Sequence, residues 1–153
     1  MENSQLIEIS FATAKDLPHL ADLLAELFTL ESDFRPDRDK QLSGLRLILD
    51  TPALGQLFVL SIDGKVAGMA NALFTISTSE GKRVLLLEDV IVVSEHRGRG
   101  LGHRLVEHVL NWAREQGLVR VTLLADRDNQ AALDFYRKLN FENSQMTVLR
   151  KKL

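Results

Sequence analysis

The stretch from Val84 to Gly102, VLLLEDVIVVSEHRGRGLG, restricts the fold more than any other part of the chain. A long apolar run, interrupted by Glu88 and Asp89, ends in a short loop crowded with arginine and glycine, and the helical sequence GLGHRLVEHVLNWAREQG follows at once. A strand that feeds a glycine-rich turn and then a helix leaves free backbone N–H groups pointing outward at the helix's first turn. The positive end of the helix dipole favours an anion there. Arg97 and Arg99 add cationic donors beside the same turn. The expectation is a phosphate-bearing ligand docked on Arg97, Gly98, Arg99, Gly100, Leu101, Gly102 and His103.

Spacing decides which kind of phosphate site this is. A dinucleotide fingerprint needs G-x-G-x-x-G, whereas Gly98, Gly100 and Gly102 lie two apart. A Walker A loop ends in G-K-[ST], and here His103 and Arg104 follow Gly102. What fits is R-x-x-G-x-G, read as Arg97, Gly100 and Gly102, directly after a strand ending at Val92 and Val93. An ordinary strand-to-helix turn, in which the glycines only relieve crowding, is the competing reading of the loop taken alone.

The rest of the chain supplies the frame. Its 153 residues suit one domain over 1–153 with a substantial core. A net charge of −2 gives no general pull toward nucleic acid or an acidic membrane. The absence of cysteine excludes disulfides and any cysteine-linked acyl intermediate. No secretory apolar segment precedes the first structured stretch, and no run approaches the ~20 residues of a membrane span. The expectation is a cytoplasmic protein.

Leu6 to Phe11 alternates as a first strand. Asp16 is placed to cap a helix with Pro18 in its first turn, and Leu17, Leu20, Leu24 and Leu27 form its core-facing stripe as far as Leu30. A polar loop with Pro36 leads to a second helix over 40–49. Strands 56–62 and 66–76 flank Asp63-Gly64, a strong hairpin signal, and 84–93 makes the third strand of the meander. Helix 101–116 ends at Gly117, a short strand covers 119–125, and a last helix covers 129–139. Phe141 and Met146–Leu149 are expected to close the sheet. The order is β-αα-βββ-α-β-α-ββ in one α/β unit with a mixed sheet.

That order, the R-x-x-G-x-G loop, and the run Asn129, Ala132, Tyr136 (NQAALDFY) followed by RKLNF together resemble the GNAT superfamily of acetyl-CoA-dependent N-acetyltransferases. The likeness covers nearly the whole chain and implies a GNAT-like mixed, mostly antiparallel sheet flanked by helices. Where the family usually has Gly-Phe after the last helix, this chain has Asn140-Phe141. Asparagine tolerates the left-handed conformation, so the departure is mild. The resemblance implies acetyl-CoA as cosubstrate, with the pantetheine arm pairing along Val90, Ile91 and Val92 and the pyrophosphate on the 97–103 loop. It assigns Asn129 and Ala132 to the same ligand. It also implies a homodimer, since the family often forms one.

Acetyl transfer to an amine needs a held thioester, donors for its carbonyl oxygen, an unprotonated amine and a proton for the departing thiolate. Backbone N–H groups near Val90 could serve the carbonyl oxygen, given a bulge at Glu88-Asp89 that opens the sheet. Tyr136, the single tyrosine, shares a helix face with Asn129, Ala132 and Leu133 and stands where the family places the general acid. An alkylamine with a pKa near 10.4 must give up about 4.6 kcal/mol to be neutral at pH 7, which makes a base useful. Glu88 is read as that base, by analogy with a glutamate in polyamine-type members, and Asp89 as the runner-up. On a regular strand only one of the two can face the thioester. Glu26, Glu31 and Asp33, near the end of the first helix, fall in the region that forms the acceptor wall in the family. With Asp89 they point to a cationic small-molecule amine. Diamine, polyamine and amino-sugar types of small-molecule acceptor stay open, and a protein N-terminus or lysine as acceptor, or an idle acyl-CoA-binding sensor, are the alternatives. The four histidines form no metal-ligating pattern, and Trp112 reads as a packing residue.

Overall fold

Two strands of the chain, GQLFVLSI and KVAGMANALFTIS, carry almost no alternation of polar and apolar residues, which is the pattern of strands covered on both faces. The computed structural model, which describes residues 4–153, has them at the centre of a five-stranded sheet. The elements are β1 (Ile7–Phe11), α1 (Leu17–Leu30), α2 (Arg38–Asp50), β2 (Gly55–Ile62), β3 (Lys65–Ser77), β4 (Lys82–Val92), α3 (Leu101–Glu115), β5 (Val121–Leu123) and α4 (Gln130–Lys138). Strand order follows the chain. The β1–β2, β2–β3 and β3–β4 pairs are antiparallel, and β4–β5 is parallel across the α3 crossover.

Both faces of the sheet are packed. Leu57, Val59, Met69 and Ile91 meet Leu17, Leu20, Ala21, Leu24 and Leu45 of α1 and α2 on one side. Phe58, Leu60, Ala70, Ala72, Leu85 and Leu87 meet Leu101, Leu105, Val106 and Val109 of α3 on the other. Trp112 completes this second layer, with its ring stacked 5.8 Å from Phe74 and edge-on to Phe58 at 5.2 Å.

Turn chemistry sets the boundaries. Asp63 (φ 50°) and Gly64 (φ 81°) both take positive φ, the two-residue hairpin turn the sequence signals. Asp63 also accepts a 2.8 Å bond on Oδ1 from the Leu6 N–H, which ties the hairpin to the start of β1. Asp16 sits at the N-cap position of α1, yet its carboxylate turns back to accept from the Thr13 N–H at 2.8 Å. α2 starts earlier than expected because Asp37 caps it, accepting from the Lys40 N–H at 3.2 Å.

α4 ends in a Schellman motif. The Phe141 N–H donates to the Tyr136 carbonyl (3.0 Å) and the Asn140 N–H to that of Arg137 (2.9 Å), while Asn140 takes φ 67° in place of a glycine. The accompanying ring contact, Tyr136 to Phe141 at 5.6 Å, fixes the aromatic ring of the tyrosine.

One expectation fails. Phe141 and Met146–Leu149 form no strand, and no strand follows α4. Met146 and Leu149 are 87% and 91% exposed, so the short apolar alternation there buries too little surface to order a ladder. The tail instead runs to the α1–α2 loop, where Arg150 bonds Asp33 at 2.8 Å and lies over the Phe34 ring. Strand β5 is also shorter than expected, pairing only from Val121 to Leu123.

Candidate active site

The site grows out of a defect in β4. Met69 pairs with Ile91 but Asn71 pairs with Glu88, so Asp89 and Val90 together oppose Ala70. This is a β-bulge, and Asp89 takes φ 53° within it. The expected bulge is therefore present, and it removes the alternation that would send the two carboxylates to opposite faces. Asn71, two residues on from Met69, faces the α1 side of the sheet. Glu88 is its cross-strand neighbour, and Asp89 Oδ2 accepts a 3.1 Å bond from its amide Nδ2. Both carboxylates thus gather on the α1 side.

The bulge also ends the parallel pairing. β4 and β5 are joined only from Leu85↔Val121 to Leu87↔Leu123, while β4 continues to Val92. Among the described residues, no strand lies beside the edge of β4 that faced β5 beyond Leu87. Val90, Ile91 and Val92 lie on this free edge, an open template for an extended ligand.

At the far end of that edge stands the glycine–arginine loop. Gly98 (φ 79°) and Gly100 (φ 75°) are left-handed, and Gly100 is the N-cap of α3. A Cβ added at either would meet nothing within 4 Å, so open space lies over both. The N–H groups of Leu101, Gly102 and His103 have no carbonyl within the helix to bond. Gly102 lies against α4: a Cβ there would sit 3.4 Å from the Phe135 ring, at the edge of ordinary contact. Arg99 bonds His96 Nδ1 (2.9 Å) and Gln5.

Arg97 and Glu26 depart from expectation. Arg97 donates from Nε to the Val92 carbonyl (2.8 Å) and from its guanidinium to Glu26 Oε1 (2.7 Å), and Glu26 also accepts from the Ser94 N–H (3.2 Å). Glu26 therefore braces the loop against α1 and is bonded apart from Glu31, Glu88 and Asp89. The cause is helical geometry: Glu26 and Glu31 are five residues apart, about 140° around the helix axis.

Glu31 closes α1, its N–H donating to the Leu27 carbonyl at 3.1 Å. Burial pushes its carboxyl up to about 7, helped by the charges of Asp89, Asp126, Glu88 and Asp33. Burial likewise raises Glu88, with Asp89 adding and Arg150 opposing. Asp89 is raised by burial against the pull of its Asn71 bond. Tyr136, on α4, is pushed up to about 12 by burial and then by the Glu31 charge. Asn129 caps α4, its Oδ1 accepting from the Ala132 N–H at 3.1 Å. Asn71, Asp126 and Arg150 escaped the sequence reading. Only Asn71 carried a signal, as the lone amide inside an apolar strand.

Among the described residues no group of three or more His, Asp or Glu side chains is placed to hold a metal, and no helix is long and apolar enough to cross a membrane.

The chain is 33% identical over 92 residues to rat (Rattus norvegicus) N-acetyltransferase family 8 member 2, which is 60% of this chain and 41% of that protein. The chain thus spans less than half the length of this relative. Its backbone superposes on a possible acetyltransferase from Clostridium difficile 630 with a TM-score of 0.87 at 22% identity, covering 97% and 98% of the two chains. It also matches an aminoglycoside N-acetyltransferase solved in complex with CoA, with a TM-score of 0.84 at 20% identity over 99% and 98%. The profile of the acetyltransferase (GNAT) family matches residues 18–141, and the chain belongs to that family.

Proposed function

We propose that the protein transfers the acetyl group of acetyl-CoA directly to a primary amine of a small, cationic molecule. Family membership supports the reaction class. The observation that carries the finer reading is the bulge that turns Glu88 and Asp89 to the α1 side of β4, within electrostatic reach of Glu31, whose charge in turn reaches Tyr136. The residues present fit coenzyme A. The edge of β4 beyond Leu87, which β5 leaves uncovered, can take an amide-bearing arm, and the open space over Gly98 and Gly100 can take a pyrophosphate on the first turn of α3. An aminoglycoside, the substrate class of one structural relative, is a polyamine in chemical character, in keeping with an acidic acceptor end.

Acetyl-CoA supplies the thioester carbonyl that is attacked and the thiolate that leaves. The protein's residues handle protons and charge. Glu88 takes a proton from the acceptor ammonium, and its raised pKa makes it a stronger base than an ordinary glutamate. Backbone N–H groups at the bulge, near Val90, polarise the carbonyl oxygen. Tyr136 donates toward the thiolate. With the phenol at about 12 and a thiol near 8.5, full transfer from the resting site is uphill by roughly 5 kcal/mol, so the phenol acts in concert with the departing sulfur. The sum is ammonium plus thioester giving amide, thiol and one proton.

The test is to incubate the protein with acetyl-CoA and a panel of diamines, amino sugars and peptides, following thiol release and acetylated product by mass. Tyr136→Phe is expected to retain acetyl-CoA binding and lose about 10²-fold in kcat, and Glu88→Gln to lose most at low pH, where the amine is hardest to deprotonate. Turnover unchanged in both variants would instead mark an idle acyl-CoA binder.

A further inference from the structure

Within the buried stretch of β3 at 67–72, AGMANA, Asn71 is the single polar side chain. It is 3% exposed, and its neighbours across the sheet are Leu57 of β2 and Glu88 of β4. Its amide is used on one side only. Nδ2 donates to Asp89 Oδ2 at 3.1 Å, whereas Oδ1 is buried with no donor. Turning the amide over would set its oxygen against the ionised carboxylate and bury the NH2 group without an acceptor, so Asp89 fixes the orientation. An apolar side chain of the same size would leave no orphan oxygen in this strand, and a buried oxygen without a donor lowers stability. The partner is a departure as well: Asp89 is a non-glycine residue at φ 53°, held there by the bulge. Two local departures from the more stable choice thus meet at one contact. Together they make a half-buried carboxylate with one oxygen pinned by the amide and the other, Oδ1, without a hydrogen bond among the described residues.

We infer that Asn71 is a positioning residue for acetyl transfer: its amide holds and aims the Asp89 carboxylate as the anion on which the acceptor's ammonium group seats before it gives its proton to Glu88. The inference rests on the acetyltransferase reading above. The two adjacent carboxylates divide the work by their surroundings. Burial favours the neutral form of both, and of the two only Asp89 has a hydrogen-bond donor set against that effect among the described residues. Asn71 therefore keeps the seat ionised, while Glu88, beside it across the strands but without its bond, stays free to take a proton. No bond is made or broken at Asn71, so its loss acts on the binding of the amine and not on the chemical step.

The test uses the amine of the panel above that the wild-type protein acetylates fastest. Asn71→Leu removes the donor and the orphan oxygen together at similar volume. Its KM for the amine is expected to rise about 10-fold, as for one lost hydrogen bond to a charged group, with kcat and the KM for acetyl-CoA close to wild type. Asp89→Asn removes the charge and still leaves Asn71 an amide oxygen to bond. It should raise the amine KM at least as much and abolish the rise of that KM with added salt. In the double variant the two effects should not add, because Asn71 acts through Asp89. An unchanged amine KM in either single variant, or additive effects in the double, overturns the assignment. A merely structural asparagine would instead lower the melting temperature and depress kcat and both affinities together, and that result overturns it too. Should Asn71→Leu fail to fold, Asp89→Asn decides alone: a salt dependence equal to that of wild type removes the seat. If the wild-type protein acetylates none of the amines, the acetyltransferase reading falls and takes the seat with it; if it acetylates them and the variants behave as wild type, the seat alone falls.

Discussion

The two ends of the cleft are built on opposite plans. At the loop end, residues 97–103 are contiguous, the groups offered to a ligand are backbone N–H groups, and two left-handed glycines keep side-chain bulk away. At the carboxylate end, where the proposal puts the proton transfers, the side chains come from separate segments: Glu31 from the end of α1, Asn71 from β3, Glu88 and Asp89 from β4, Tyr136 from α4 and Arg150 from the tail. Backbone groups need no titration to be ready for phosphate. The side-chain end is where Glu31, Glu88, Asp89 and Tyr136 are all raised. A site that must move protons is made from groups whose charge is negotiable; a site that must only hold an anion is made from groups whose charge is fixed.

The largest expected effect tests the backbone half of that contrast. Gly100→Val puts a β-branched residue at φ 75° and fills the open space above the loop, so acetyl-CoA affinity should fall by about 10²-fold or more. Gly100→Asn separates the two causes, since asparagine accepts the left-handed conformation and adds only bulk. Calorimetric titration of both variants gives the answer: full affinity in Gly100→Asn would mean that the ligand does not lie over this residue. Ultraviolet titration of Tyr136 should give the same midpoint in both variants, because the two ends share no charge coupling.

The same contrast decides what could be read from the sequence. The loop was legible because every residue that makes it lies within one short run, and strand, glycines and helix announce themselves in order. The helix that carries Tyr136 was legible for the same reason, with Asn129 at its start. The bulge could be expected from two acids interrupting an apolar strand. Its consequence could not, because bringing Glu88 and Asp89 to one face depends on how the register shifts against Asn71. Asp126 and Arg150 enter through tertiary contacts with Ser32 and Asp33, which no local pattern encodes. Glu26 was grouped with Glu31 from nearness in sequence, and the structure bonds it to Arg97 and Ser94.

Glu26→Gln gives an intermediate effect and tests that correction. The ion pair with Arg97 is partly exposed, so its loss is worth at most about 1 kcal/mol. A few-fold weaker affinity for acetyl-CoA is expected, with the KM for the amine unchanged. The opposite split, a raised amine KM with acetyl-CoA affinity intact, would return Glu26 to the acceptor wall.

The smallest effect is on stability, and its sign separates the two ends. Glu31 has its folded pKa raised to about 7 from 4.5, so its carboxyl is easier to hold folded when protonated. The stability it contributes is fully present below pH 4.5 and is lost as pH rises through 7; Glu88 and Asp89 are raised and act in the same direction. Glu31→Gln should therefore remove part of this slope and be more stable than wild type at pH 8. Because the carboxyl is only partly buried, the gain after solvent screening is about 1 kcal/mol, or about 2–4 °C in Tm for a chain of this size. At pH 4.5 the two proteins should melt together. A diamine added at pH 8 should raise the wild-type Tm more than that of Glu31→Gln, since the cation relieves the repulsion that the substitution has already removed. Equal melting of both proteins across this range, with and without diamine, would mean that the acidic end carries no strain for an acceptor to relieve, and that the two ends differ in architecture alone.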